Sequence, residues 1–472
     1  MMSRRSLLFA APLFRPGLHT KWIRPYSTAP LMGERAWTKL PAIKVLVEQA
    51  IQESREAQKP LPFEDTAIWY VQHSFETSLS VLDAFIALGA KPSNIGIIDK
   101  AYSRCEGVEQ AILKRGVHYT AGSLPARLGG FKYSFMRDIS QALTGFMERL
   151  PHVKRIIAVS HGQNFFDLIP AEIFEKYPIV GIEKTTAGLS DSNIEGLPFP
   201  IINMAGCAAK LVLESPIIAD EVVKKALSFV PLASQTLTCG VVGYGNIGRA
   251  LTNKLLSMGH RVIVYDRDPH KLKDLQAKTT RDLSALIGYA DCIFGCTGRD
   301  ITEAIDLFNF ARKDKILISC SSADVEFLSM LHLIQKKYNG KVSQKPLSDL
   351  EYVNEDGVSI RVLRGGYPIN FDGISEGSTP QTIQLTRALS VASVLHASQL
   401  FDAPDLVHQG GVIKLSAPFQ RTLTQAFLRD QPQGLYTQET IDHFNDEAWI
   451  SKNSNGEDRH PQQQDKSAAR PW

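Results

Sequence analysis

Residues 236–268, TLTCGVVGYGNIGRALTNKLLSMGHRVIVYDRD, decide how the rest of the chain is read. A β-rich run ends at Gly243, and further glycines follow at Gly245 and Gly248. Ile247, Leu251, Leu255 and Met258 then continue at helical spacing to Gly259. A second strand pattern, RVIVYD, delivers Asp266 at about the twenty-residue offset expected of a dinucleotide-binding unit. Each part has a physical task. Gly243 makes the tight turn, Gly245 lets backbone approach a pyrophosphate, and Gly248 lets helix and strand pack closely. The helix opens at Asn246 and Ile247, and its N-terminus attracts phosphate oxygens. Asp266 would accept hydrogen bonds from the adenosine ribose hydroxyls and repel a 2′-phosphate, so the expected cofactor is NAD rather than NADP. Arg249 and Arg267 weaken that preference. A glycine turn alone also suits a structural bend, a flavin or NADP. Strand, turn, helix and acid in this order favour NAD.

Short apolar strands alternate with helical patterns on both sides of this unit, which is the signature of α/β architecture. Downstream, CIFGCTG and KILISCSS extend the sheet, and EYVNEDGVSIRVL reads as a hairpin on an Asp-Gly turn. Upstream, DTAIWYVQH, NIGIID, RIIAVS, YPIVGIEKTT and FPIINMAGCAAK are strand-to-loop junctions. RIIAVS ends at His161 and Gly162, where open parallel sheets place ligand-binding groups. The expected fold is α/β and two-domain, with a doubly wound Rossmann-type NAD domain inserted into an α/β substrate domain. The boundaries read as a leader at 1–34, substrate domain at 35–217, NAD domain at 218–377, a return to the substrate domain at 378–445 and a disordered tail at 446–472.

Composition supports two or three globular domains: 472 residues, 44% apolar and 21% charged. A net charge of +3 without a long Lys/Arg run gives no electrostatic footprint for nucleic acid or an anionic membrane, so the expected partner is a small-molecule substrate. No stretch reaches the ~18 apolar residues of a membrane-spanning helix. Cys105, Cys207, Cys239, Cys292, Cys296 and Cys320 are scattered without a C-x-x-C pair, so they read as reduced, buried thiols of an intracellular protein, and no metal site is expected. The leader MMSRRSLLFAAPLFRPGLHTKWIRPYSTAP has no acid before Glu34 and resembles a mitochondrial presequence. A twin-arginine export signal and a disordered basic N-terminus are its rivals.

The order of parts between Asp65 and Leu400 resembles the S-adenosylhomocysteine hydrolase (adenosylhomocysteinase) family. HSFETSLSVLDAFIALGA is similar to that family's early E-T helix, IEKTTAGL to its E-E-T-T-T-G segment, and INMAGCAAKLVLES to the stretch ending in a catalytic lysine and a carboxylate one turn later. CTG, ADVE and INFDG follow the glycine turn in family order. The resemblance implies a homo-oligomeric hydrolase of one-carbon metabolism whose NAD oxidises and then re-reduces a ribose hydroxyl. It places Thr185, Thr186, Thr297 and Asn370 around the cofactor, Glu76 and Thr77 at the substrate, and Lys210, Glu214 and His161 as the acid/base set. Several positions depart from the family pattern. His161 stands in place of an aspartate, Lys184 in place of the second acid, and Ser322 in place of a histidine; EGSTP lacks the G-H-P histidine, His73 is shifted by one place, and the K-P-x-x-Y-R-Y tail is missing.

Three readings follow. One is a divergent member acting on an S-adenosylhomocysteine-related or other ribosyl or thioether substrate. The second is a catalytically degenerate NAD-binding regulatory protein. The third is an NAD-dependent 2-hydroxyacid dehydrogenase, although LRGGYPINFDGISEG does not supply the Arg-Glu-His set of such enzymes. Bland alternatives stand beside the site assignments: locally satisfied threonines, a surface i,i+4 pair for Lys210 and Glu214, and a satisfied loop histidine for His161.

Overall fold

A computed structural model describes residues 35–457, apart from 106, 163, 192, 230–235, 274, 304–310, 312, 338–346, 355 and 372–376. The leader, the chain beyond 457, and Asp372 to Glu376, which include parts of the INFDG and EGSTP motifs, lie outside the described residues.

The apolar runs form two parallel-dominated sheets. The first contains β1 (Thr66–Gln72), β2 (Ile95–Asp99), β3 (His118–Thr120), β4 (Arg155–Ser160), β5 (Ile179–Glu183) and β6 (Pro200–Asn203). The second contains β7 (Thr238–Val242), β8 (Arg261–Tyr265), β9 (Lys278–Thr279), β10 (Cys292–Gly295), β11 (Lys315–Ser319), β12 (Leu350–Val353) and β13 (Ser359–Val362). The last strand, β14 (Gly411–Lys414), returns to the first sheet and pairs in parallel with β6. Each sheet has seven strands, in the orders β14-β6-β5-β4-β1-β2-β3 and β12-β13-β11-β10-β7-β8-β9. The hairpin of β12 and β13 is antiparallel.

Helices cover both faces of each sheet, which is why all seven residues of β1 are buried and its sequence runs apolar without alternation. Aromatic residues of helix Phe131–Met147 fill one face of the first sheet; helices Pro41–Glu56, Ser78–Ala87 and Pro380–Leu400 fill the other. Gln384 ties helix Pro380–Leu400 to two others: its side-chain oxygen accepts from the amide of Ala42 in helix Pro41–Glu56 (3.0 Å), and its nitrogen donates to Asp430 (2.7 Å), the residue after helix Ala417–Arg429. The sequence boundary at 217/218 falls inside helix Ser215–Phe229.

The polar stretch from 446, where disorder is expected, is folded as far as 457. Asp446 caps helix Glu447–Lys452, Ile450 is fully buried, the Ser454 hydroxyl accepts from Ala208 N (3.0 Å), and Asn455 N donates to Gly206 O (2.9 Å). Hydrogen bonds to the loop after β6 hold this segment, and composition carries no trace of them.

In both sheets the first three strands run outward on one side, and the fourth strand starts on the other side of the first. The switch points therefore lie between β1 and β4 and between β7 and β10. Ligands of open α/β sheets bind at such points, beyond the strands' carboxyl ends. The two carboxyl edges also touch. Phe371 stacks on His73 with ring centroids 4.1 Å apart, Ala323 and Tyr367 share a buried cluster with Tyr102 and Phe131, and Arg364 donates to Tyr102 O (3.4 Å). Ala323 and Arg364 hold left-handed backbone at this junction, with φ of 86° and 52°. Such strain persists where surrounding packing over-determines it.

Candidate cofactor and active site

At the second switch point the glycine turn has the shape of a phosphate cradle. Gly243 has φ +94°, and a Cβ there would lie 2.9 Å from the Thr297 methyl. A Cβ on Gly248 would lie 1.9 Å from Gly243 O, so helix Asn246–Ser257 reaches the strand only because Gly248 has no side chain. A Cβ on Gly245 would meet nothing within 4 Å. That open space, in front of the exposed Gly245 and Asn246 and the half-buried Ile247, is where a pyrophosphate would sit. Asp266 follows β8, its two oxygens accepting from Tyr244 N (2.6 Å) and Asp268 N (2.8 Å), and Lys271 Nζ lies 3.9 Å away. Asp266 is thereby oriented by its own loop.

Thr297, exposed after β10, is held by a residue that the sequence reading does not single out. Glu326 is fully buried and accepts from Thr297 N (2.6 Å), Gly298 N (2.5 Å), the Thr297 hydroxyl (3.0 Å) and Ser321. Burial lifts its carboxyl to about 7, against those donors. Asn370 is buried, and its amide reaches Glu221 at 3.5 Å.

At the first switch point, the ends of four neighbouring strands bring together ionisable side chains. His73 follows β1, Lys100 follows β2, His161 follows β4, and Glu183 and Lys184 end β5. The His73 and His161 rings meet edge to face with centroids 4.6 Å apart. His73 Nδ1 bonds the Ser103 hydroxyl (2.6 Å), which leaves Nε2 without a hydrogen-bond partner; His161 Nδ1 and Lys100 Nζ also have none. Burial, and then the positive charges of Lys100, Lys184 and Lys210, hold both imidazoles well below the usual histidine range. Burial likewise pushes the Lys100 amine down to about 7.

The other sequence-assigned residues gather around this centre. Lys210 and Glu214 form a close ion pair across a π-helical turn, and Glu214 also accepts from Thr386 (2.6 Å). Lys210 keeps 22% of its side chain exposed and Glu214 only 5%, so this is no surface pair. Thr77 is buried and accepts from Arg387 Nε (2.9 Å), with Glu76 half-buried beside it. The Thr185 hydroxyl donates to Glu183 (2.7 Å) and accepts from Gly188 N (3.0 Å), so toward a ligand it offers only its remaining lone pair. Thr186 is exposed at the start of helix Thr186–Asp191. Lys184 turns inward: its amine donates to Val71 O (2.7 Å) and lies over the Tyr70 ring, 4.3 Å from the centroid. Lys100 and Arg387 escape sequence reading because they belong to no motif, and Glu183 lies in the IEKTTAGL motif without a role assigned to it. The signal available for Lys100 was its place directly after an apolar strand beside His73.

The six cysteines are free thiols, four of them buried; Cys296 and Cys320, in the loops after β10 and β11, are only partly so. No cluster of metal-ligating side chains occurs among the described residues. No described helix is long and apolar enough to cross a membrane.

The fold and the glycine cradle define a nicotinamide-dinucleotide-binding α/β protein with a Rossmann domain. Residues 238–323 match the family described as NADP oxidoreductase, coenzyme F420-dependent. Two uncharacterized proteins from Mycobacterium tuberculosis strains are each 30% identical to this chain over 331 residues, which cover 69% of it. The match spans 63% of the length of those curated relatives. Among solved structures, a 2-hydroxyacid dehydrogenase from Ketogulonicigenium vulgare superposes with a TM-score of 0.39 at 10% identity, covering 72% of this chain and 96% of that one. An NADPH-dependent glyoxylate/hydroxypyruvate reductase from Sinorhizobium meliloti superposes at 0.38 and 13% identity, covering 71% and 93%. Superpositions this loose carry no assignment of activity.

Proposed function

We propose that the protein is a nicotinamide-dependent oxidoreductase that interconverts a secondary alcohol and its ketone where the two carboxyl edges meet. The observation that carries this reading is the pair of imidazoles at the first switch point, neutral at ordinary pH and joined to the dinucleotide-binding unit by the stack of Phe371 on His73. When bound, the nicotinamide supplies hydride exchange at the alcohol carbon. This chain's own part is to hold the substrate and move the hydroxyl proton. A neutral imidazole accepts that proton as the alcohol is oxidised and returns it when the ketone is reduced. His161 keeps partial exposure whereas His73 is buried, so His161 is the imidazole that an entering substrate meets. The Lys210–Glu214 pair and the Arg387–Thr77 bond position the walls around it.

This chemistry is that of the 2-hydroxyacid dehydrogenase reading, and hydrolysis of a ribosyl thioether would need an elimination step beyond it. Asp266 favours NAD, since a carboxylate opposes a 2′-phosphate. The test is nicotinamide absorbance with NAD and NADP, offering 2-hydroxy acids and their ketones in one set and adenosine and S-adenosylhomocysteine in another. Turnover with an alcohol or ketone of the first set is expected, with kcat falling ~10²- to 10⁴-fold in His161→Ala while NAD affinity stays. Release of adenosine from S-adenosylhomocysteine would support the adenosylhomocysteinase-like reading instead. Failure to bind either dinucleotide would overturn the proposal.

A further inference from the structure

Among the described residues, the first switch point holds a buried cation, Lys100, whose amine has no hydrogen-bond acceptor. Lys184 is tied to Val71 O, Lys210 to Glu214, and Arg387 bonds Thr77. Lys100 has 0% exposure, and its amine has no hydrogen-bond partner. Glu183, the nearby carboxylate, does not fill the role. Its Oε1 accepts from Gly162 N (3.1 Å), Thr185 N (2.7 Å) and the Thr185 hydroxyl (2.7 Å), its Oε2 from Gly162 N (3.3 Å), and neither oxygen bonds the lysine. Lysines are almost never fully buried unless paired, because losing water without a replacement acceptor is costly. Two further polar atoms share the deficit, His73 Nε2 and His161 Nδ1, whose rings are in contact. The amine suits a negatively charged oxygen acceptor, and His73 Nε2, left as a lone pair because the Ser103 hydroxyl donates to Lys100 O and takes Nδ1–H, suits a hydroxyl donor; an acid bearing an alcohol brings both.

We propose that Lys100 anchors a carboxylate of the substrate, so that the site takes an acid bearing a secondary alcohol or ketone. This deepens the oxidoreductase reading and rests on it. The carboxylate completes the lysine's missing ion pair, and the adjacent hydroxyl is then presented to the imidazoles. A buried charge-assisted hydrogen bond of this kind gives both orientation and affinity, since its partner has already lost its water in the folded protein.

The test uses the full chain and oxalate as a non-reacting carboxylate probe, titrated calorimetrically with and without NADH. Wild type is expected to bind oxalate, and Lys100→Met and Lys100→Gln to lose at least ~30-fold in affinity. Both variants should keep wild-type NADH affinity, and Lys100→Met should melt no lower than wild type, since the amine it removes has no hydrogen-bond partner. Oxalate affinity within about threefold of wild type in the variants, or no oxalate binding by wild type, would overturn the assignment. So would loss of binding that comes with a lowered melting temperature in both variants, because that pattern marks a structural lysine. Wild type that binds oxalate but neither dinucleotide would sink the oxidoreductase reading while leaving the anion site standing, so the two failures are distinguishable.

Discussion

The two switch points are built from the same strand plan and satisfied in opposite ways. At the second, Glu326 receives four donors and Asp266 is oriented by two backbone amides. At the first, Glu183 is equally well satisfied, but His73 Nε2, His161 Nδ1 and Lys100 Nζ are not. The dinucleotide cradle is made of backbone shape, which costs the fold little. The other edge is made of buried side chains without hydrogen-bond partners, which carry a stability cost. Destabilised, preorganised polar groups of this kind are what a binding site contributes in advance of its ligand.

Gly248→Ala should be the most damaging change, because its new carbon would sit 1.9 Å from a backbone oxygen. A loss on the order of 3 kcal/mol or more is expected in urea unfolding. A well-folded Gly248→Ala protein would mean that helix and strand are not held as closely as described.

Gly245→Val separates shape from stability. With nothing within 4 Å of the added carbon, the melting temperature should hold while NAD affinity falls more than ~100-fold in titration calorimetry. Unchanged affinity would reduce the glycine turn to a structural bend.

Lys100→Met addresses the other edge, and the sign follows from linkage. The folded amine titrates near 7, below its ordinary 10.5, so the unfolded chain binds more protons between those values and wild-type stability rises with pH across that window. Below about 7 the cost is fully present. Met should therefore stabilise the ligand-free protein by on the order of 2–4 kcal/mol at pH 6, with the advantage shrinking toward pH 10. Glu183, Lys184, His73 and His161 face Lys100, so Met also removes its repulsion of Lys184 and both imidazoles and its attraction to Glu183, and the difference reads the whole cluster. A destabilised Lys100→Met at pH 6 would erase the contrast between the two edges.

Asp266→Ala is expected to have the smallest effect, a roughly tenfold loss of preference for NAD over NADP, read from the ratio of the two affinities. An unchanged ratio would move the ribose contact elsewhere in the loop, toward Arg267 or Lys271.

The sequence by itself determined the α/β class, the strand-to-loop junctions, the Asp-Gly hairpin and the glycine turn with Asp266, because these rest on local periodicity and on offsets within one stretch of chain. Period-2 and period-3.6 patterns, backbone conformation and short spacings are readable without neighbours. The sequence also marked His161, Lys210 and Glu214 by position, but not what each touches. That His161 faces His73 across two adjacent strands, that Lys184 turns inward to Val71 O, and that the buried Lys100 amine has no hydrogen-bond acceptor were decided only by the tertiary structure. The same holds for residues 446–457, whose polar composition hides the bonds that tie them to the loop after β6. The reason is physical: burial and pairing are properties of groups brought together from distant parts of the chain. A lysine reads the same in sequence whether water, a glutamate or nothing lies beside its amine, and the energetic difference between those states arises only once the strands have aligned.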